Sequence, residues 1–375
     1  MEKPIEGEKK VFMTGNEVVA WAALAAGAEI MYGYPITPQN EIMHYWTRLA
    51  PKYGRMFLQT EDELSAGFTT IGGVMGGRRA FTATAGPGNV LMQEPMAMAE
   101  MMRLPVVVII MQRGGPSTGT VIYSQQEVTL TTLGGNGEGF RIVYSTAGNQ
   151  ELFDYVIKAF NTAWKYRFPT FVLGDGYQAK MREPLVIYDP EIRGLSPVPT
   201  EPFLGKPGVP GVDRLPGHYR NTYNTEEELY EVIMGLARAY EAIIPEVVEF
   251  EEEAVEGAEL LVMSHGVVSR AVKSAVRALR RDGYPVGYFR PITLRPLPVE
   301  AMRRRAEKVR RILVAESAYG QFARLVKEAL YGLQVEIVPL FKPGLGINPE
   351  EIYSRAQELI KGGEKGAEHI AATHA

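Results

Sequence analysis

Cysteine is absent from the 375 residues. That removes disulfides, a thiol nucleophile and any cysteine-held iron–sulfur cluster from the chemistry of this chain. Histidine is scarce, with five in all. Two of them, His369 and His374, fall in a Gly/Ala-rich tail, so no histidine-based metal site is expected. No apolar run approaches the roughly 18 residues that a membrane span needs. There is no surplus of positive charge either. The formal net charge is −4, and nothing draws this surface to nucleic acid or to an anionic membrane. The opening stretch, MEKPIEGEKKVF, is charged and has no apolar signal-peptide core, so a cytoplasmic location is expected. Any redox chemistry must run through a bound cofactor or another polypeptide. The composition, 46% apolar and 22% charged, is that of a globular protein with material for two or three domains.

Short β-rich runs alternate with helical stretches through the first half. GNEVVAWAALAAGA (15–28) has helix composition, and EIMYGYP (29–35) enters a turn. MFLQT is followed by EDELSAGFTTIGGVMGG, a helix rich in small residues. RRAFTATAGPG enters a Gly-Pro-Gly turn, NVLMQEPMAMAEMM reads as one Met-rich helix, and PVVVIIMQRGG as a buried strand ending at Arg113. This alternation predicts a parallel sheet covered on both faces. One such domain is placed at 1–185. Between Pro184 and Pro216 lie eight prolines with little periodicity, a linker or an arm. A helix follows, opened by a capping box Thr225-x-x-Glu228 and running to Pro245. The acidic run EFEEEAVEGAE reads as solvated, and 186–250 is taken as linker and helix. A second doubly wound α/β unit occupies 251–365, before a tail at 366–375. Arg303-Arg304-Arg305 reads as one wet helix face.

In open α/β sheets, ligands bind beyond the carboxyl ends of the strands. Three unusual turns fall at such ends: YPITPQN, TAGPGN and MQRGGPSTG. In the first, Pro35 and Pro38 stiffen the backbone around Thr37. Arg113 offers a bidentate cation suited to a carboxylate. Gly86, Gly88, Gly114 and Gly115 permit close backbone approach by a ligand. Each has a plainer reading as a turn residue or surface salt-bridger, and the convergence of all three on one rim is the argument for a site. Glu61-Asp62-Glu63 is the fourth element. Thr60-x-x-Glu63 reads as a capping box, with acids placed to suit the helix dipole. A catalytic reading instead needs one carboxylate facing a buried ligand nitrogen, with its ionised form disfavoured by burial.

YPITP, EDE before a small-residue helix, TAGPG and QRGGPSTG, in this order, resemble the alpha subunit of the 2-oxoacid:ferredoxin oxidoreductases. SHGVVSRAV and FRPITLRPLP in the second half are similar to the family pattern. The resemblance covers essentially the whole chain. It implies two doubly wound parallel-sheet domains, a thiamine-diphosphate pyrimidine-binding domain and a transketolase-C-terminal-like domain, joined by the Pro/Gly-rich linker. It also implies CoA-dependent oxidative decarboxylation of a 2-oxoacid, with electrons passed to ferredoxin. Carried onto this sequence, Thr37 contacts the 2-oxoacid and Arg113 pairs with its carboxylate. Glu63 hydrogen-bonds the aminopyrimidine nitrogen, and its distance from Gly72 fits the family where Glu61 does not. Tyr34, Pro35, Ile36, Gly86 and Gly88 line the cofactor.

The family's GDG–Asn diphosphate and Mg²⁺ motif is incomplete here. Gly174-Asp175-Gly176 has no Asn at the required distance and reads as a turn, so no metal is expected in this chain. The resemblance assigns the diphosphate-binding domain, Mg²⁺ and a [4Fe–4S] cluster to a beta subunit, with a gamma and often a ferredoxin-like delta subunit completing the enzyme. The chain then holds half of an active site. QRGGPSTGTVIYSQQEV looks most like the chains for 2-oxoglutarate and 2-oxoisovalerate, with Ile122 and Tyr123 placed to line either pocket. The alternatives are a non-catalytic α/β scaffold subunit and half of a transketolase-like or decarboxylase thiamine enzyme.

Overall fold

The computed structural model describes residues 3–204 and 219–362, and the expectations for the rest of the Pro/Gly arm and for the tail lie outside them. Fourteen strands are present among the described residues: β1 (Glu8–Thr14), β2 (Ile30–Gly33), β3 (Met56–Gln59), β4 (Ala80–Thr84), β5 (Val107–Gln112), β6 (Ile142–Ser145), β7 (Thr170–Asp175), β8 (Arg182–Tyr188), β9 (Phe250–Glu253), β10 (Leu260–Met263), β11 (Val286–Pro291), β12 (Thr293–Arg295), β13 (Arg311–Glu316) and β14 (Glu336–Phe341). They form a seven-stranded sheet ordered β12-β6-β7-β5-β4-β2-β3, a five-stranded sheet ordered β14-β13-β10-β11-β9, and a β1-β8 ribbon. The large sheet is parallel from β6 to β3, and the smaller one from β14 to β11.

Both faces of the large sheet are covered, as its continuous apolar strands require. β5 is buried along its whole length. On one face the helix Asn149–Tyr166 turns Leu152, Phe153, Val156 and Phe160 into a cluster with Trp46 and Phe81. On the other, the helix Glu63–Met75 packs against Gln93–Met101 so closely that a Cβ on Gly67 would stand 2.3 Å from the Pro95 ring. This second cluster continues without a break into the C-terminal unit through Leu294, Met302 and Phe322.

Several segments differ from the sequence reading. The Met-rich stretch is two helices, Pro87–Leu91 and Gln93–Met101. β5 ends one residue before Arg113. Pro184 to Tyr188 belong to β8 and pair antiparallel with β1, so the arm begins later than expected. Past the ribbon, the arm buries Phe203 against the Trp164 ring, with centroids 5.8 Å apart. Thr225 does cap the next helix, accepting from Glu228 N, but that helix runs through Pro245 to Val247.

The acidic run is not merely solvated: Phe250–Glu253 is the antiparallel edge strand of the smaller sheet. Each of its acids meets a cation from a neighbouring element. Glu253 takes a bidentate pair from Arg277 at 2.7 and 2.9 Å, Glu252 one from Arg305 at 2.6 and 3.0 Å, and Glu251 pairs with Lys273. Arg305 is therefore a strand-edge partner and not part of a wet face. Thr293–Arg295, expected within the second unit, adds antiparallel to β6 at the edge of the first sheet.

Buried polar bonds join the two units. Arg290 grips Glu151 at 2.8 and 2.6 Å, and the His265 Nδ1 lies 3.0 Å from Ser145 Oγ. Burial, aided by the Arg290 charge, pushes the His265 imidazole down to about 3. The sign of its pH effect follows. The folded chain keeps His265 neutral while the unfolded chain takes up a proton below pH 6.5, so stability is lost as pH falls from 6.5 toward 3. The slope approaches about 1.4 kcal/mol per pH unit. A His265→Asn variant should therefore lose less Tm than the wild type between pH 7.5 and pH 5; parallel Tm profiles would show that His265 is not the source.

Candidate active site

Strands β5, β4, β2 and β3 are consecutive neighbours and parallel, so the segments that leave their carboxyl ends share one rim. Those segments are QRGGPSTG, TAGPG, YPITP and TEDE. The convergence follows from strand order alone.

The YPITP turn is held by its own carbonyls. Gln39 Nε2 donates to Tyr34 O at 2.8 Å, Asn40 N to Ile36 O at 2.9 Å, and Asn16 Nδ2 to Pro38 O at 2.7 Å. The Thr37–Pro38 peptide is cis. Arg113 Nη1 donates to Thr37 O at 2.8 Å, which joins the first turn directly to the third. With its carbonyl so engaged, the half-buried Thr37 keeps a hydroxyl that no described residue binds.

Arg113 is 5% exposed, yet no carboxylate forms an ion pair with it among the described residues. Its Nε is buried without any hydrogen-bond partner. A buried guanidinium in that condition is a ready site for an anion. Gly86, at φ +53° and ψ −123°, passes so close that a Cβ there would lie 2.5 Å from Arg113 Nε.

Glu63 opens its helix, but the capping box expected from Thr60 does not form. Asp62 is the N-cap, its Oδ1 accepting from Ser65 N at 2.7 Å, while Thr60 Oγ1 bonds to Asp62 O. With Asp62 occupied in this way, Glu63 turns inward. Its carboxylate rests against Gly88, where a Cβ would approach Oε1 to 2.3 Å. Burial raises the Glu63 pKa above the ordinary carboxyl value; the helix-end N–H and Arg113 pull it back, and Asp62 adds to the rise. The conflict between helix end and burial is thus settled in favour of burial.

The residue that the sequence reading passed over is Glu127. It is 4% exposed, and its Oε1 accepts from Gly86 N at 2.8 Å and Asn89 Nδ2 at 3.1 Å while Oε2 accepts from Arg113 N at 2.9 Å. Burial pushes its carboxyl up to about 7, against the pull of these three donors. The only signal in the sequence was a lone acid among neutral residues in SQQEVTLTT.

Of the other expected residues, Tyr34, Pro35 and Ile36 stand on the turn beside Thr37. Ile122 is exposed, whereas Tyr123 is buried with its ring stacked on Tyr177 at 4.2 Å. Gly174-Asp175-Gly176 is the junction of β7 with a short helix: Asp175 Oδ1 accepts from Gln178 N at 3.0 Å, and a Cβ on Gly176 would collide with Ile122 O. No cluster of three or more His, Asp or Glu placed to hold a metal ion exists among the described residues, nor any helix long and apolar enough to cross a membrane.

Comparison with known proteins agrees with this architecture. The family described as pyruvate flavodoxin/ferredoxin oxidoreductase, thiamine diphosphate-binding, matches residues 21–252, and pyruvate:ferredoxin oxidoreductase core domain II matches 258–351. The chain is 36% identical over 369 residues to 2-oxoglutarate synthase subunit KorA of Methanothermobacter thermautotrophicus, covering 92% of this chain and 97% of that one. It is 35% identical to ketoisovalerate oxidoreductase subunit VorB of Methanothermobacter marburgensis, over 86% of this chain and 91% of the relative. Among solved structures, the 2-oxoglutarate:ferredoxin oxidoreductase from Magnetococcus marinus, with 2-oxoglutarate, coenzyme A and succinyl-CoA bound, superposes with a TM-score of 0.84 at 26% identity. That match covers 94% of this chain and 65% of the solved one. A split-gene transketolase, TM-score 0.55 at 14% identity, shares the fold. With family matches along most of its length and relatives above 30% identity, the chain belongs to the 2-oxoacid:ferredoxin oxidoreductases, as an alpha-type subunit of an enzyme.

Proposed function

We propose that this chain is the substrate- and pyrimidine-side half of an enzyme that oxidatively decarboxylates a 2-oxoacid to its acyl-CoA and passes the electrons to ferredoxin. The observation that carries the reading is Arg113: a buried guanidinium without an ion-pair partner among the described residues, bonded to the Thr37 carbonyl, on the rim that also bears Glu63. Arg113 binds the substrate carboxylate, and the Thr37 hydroxyl donates to an oxygen of the same acid. Glu63, its pKa raised by burial, shares a proton with a ring nitrogen of the cofactor. Tyr34, Pro35, Ile36, Gly86 and Gly88 give that ring its wall, the two glycines by admitting close approach.

Thiamine diphosphate fits these residues, because the Glu63 carboxylate is buried, of raised pKa and bonded by no other side chain among the described residues. When bound it supplies the nucleophilic carbon and the electron sink for loss of CO₂. Its diphosphate and Mg²⁺ are held by a beta subunit that also carries the [4Fe–4S] cluster. A gamma subunit, in some assemblies a ferredoxin-like delta, and CoA as co-substrate complete the reaction.

The substrate is 2-oxoglutarate or a branched-chain acid such as 2-oxoisovalerate, and steady-state viologen reduction by the purified complex with both, beside pyruvate, separates them. In that assay Arg113→Ala should raise the apparent KM for the preferred 2-oxoacid about 10- to 150-fold, the loss of one charge-assisted pair. An unchanged KM would remove Arg113 from the carboxylate site.

A further inference from the structure

The C-terminal unit supplies none of the residues on the rim, yet it bonds repeatedly to the segment that carries Glu127. Gln125 N donates to Ser317 O at 3.0 Å, Ser317 N returns a bond to Gln125 Oε1 at 2.9 Å, and Gln125 Nε2 reaches His265 O at 2.8 Å. Gln321 closes the other end, donating to Gln126 O at 2.7 Å and accepting from Thr129 N at 3.0 Å. Between these two points Glu127 faces the opposite way, into the site. Its carboxylate is the one side chain of this segment that holds both the Gly86 and the Arg113 backbone.

We propose that residues 125–129 form a strap by which the C-terminal unit sets the position of Arg113, and that Glu127 is the positioning residue at its point of attachment. The chemistry favours a carboxylate at that place. Three N–H donors converge on its two oxygens, and an amide of the same shape must turn an NH₂ toward at least one of them. The amide keeps more bonds with its oxygen toward Gly86 and Asn89, so its NH₂ faces Arg113 N and that loop loses its bond. The guanidinium gains in return: because Glu127 binds the Arg113 backbone and not its side chain, the charge stays available to a ligand.

The inference rests on Arg113 binding the substrate carboxylate, and the test separates the two. In the assembled complex, Glu127→Gln should raise the apparent KM for the 2-oxoacid about tenfold or more, the cost of misplacing a charge-assisted contact, while kcat at saturation stays within about threefold. The double variant Gln125→Ala/Gln321→Ala leaves every bond inside the site and should raise the same KM by a smaller factor. Added to Glu127→Gln it should raise KM no further, because both changes cut one chain of contacts. A merely structural role would lower assembly or kcat without this split or this non-additivity. If Glu127→Gln does not assemble, the Gln125/Gln321 pair carries the test alone, and an unchanged KM there overturns the strap. A Glu127→Gln complex with unchanged KM, or two effects that multiply independently, also overturns it while an Arg113→Ala defect leaves the proposed function standing. Arg113→Ala with unchanged KM overturns both.

Discussion

Exchange of Glu63 for glutamine in the assembled enzyme should lower 2-oxoacid-dependent viologen reduction by about 10²- to 10⁴-fold, the range of one general acid–base group. The subunits should still assemble. Glutamine keeps the volume that lies against Gly88 and cannot share a proton with a ring nitrogen. The stability side points the same way. Because burial raises the Glu63 pKa, the ionised carboxylate costs folding free energy above its unfolded value of 4.5, a cost that builds as pH rises through the folded pKa. The variant should therefore show a Tm at pH 7.5 equal to or above that of wild type. Lost activity with undiminished stability is the pattern of a residue kept for chemistry at the expense of the fold. Near-normal turnover in Glu63→Gln would exclude the proposed role.

The four rim motifs were legible in the sequence because each is local. A strand followed by a Pro- or Gly-bearing turn announces its own carboxyl end, and the parallel sheet then gathers such ends without further information. Asp62 shows where locality misleads. Two capping patterns overlap in TEDELS, and only the fold selects the one that turns Glu63 inward. Glu127 was out of reach for a different reason. Its partners are backbone N–H groups 41 and 14 residues away, and a backbone donor has no letter in the sequence. The acidic edge strand was hidden likewise: FEEE becomes a strand only when Arg277, Arg305 and Lys273 arrive from helices further along the chain. β12 crosses back to the first sheet through a similar non-local pairing, with Thr293 opposite Tyr144.

The closeness of Gly88 to Glu63 yields the second large effect. A methyl group at Gly88 would stand 2.2 Å from Thr84 Oγ1 and 2.3 Å from Glu63 Oε1, so something must move by about an ångström. Thr84 ends a strand buried along its whole length and paired to β5, and it has little room to yield. Glu63 stands on the first turn of its helix with a side chain that no other described residue binds, and it gives way. A displacement of about 1 Å at a reacting group costs on the order of 10²-fold in rate. Gly88→Ala should thus reduce kcat by about that factor while the complex still assembles. Gly235→Ala is the control, since its added methyl meets nothing closer than 4.0 Å among the described residues and lies inside the Glu226–Val247 helix, where alanine is favoured by up to about 1 kcal/mol. A Gly88→Ala enzyme with wild-type kcat would mean that the Glu63 carboxylate tolerates displacement, and the geometric case for its catalytic role would fall with it.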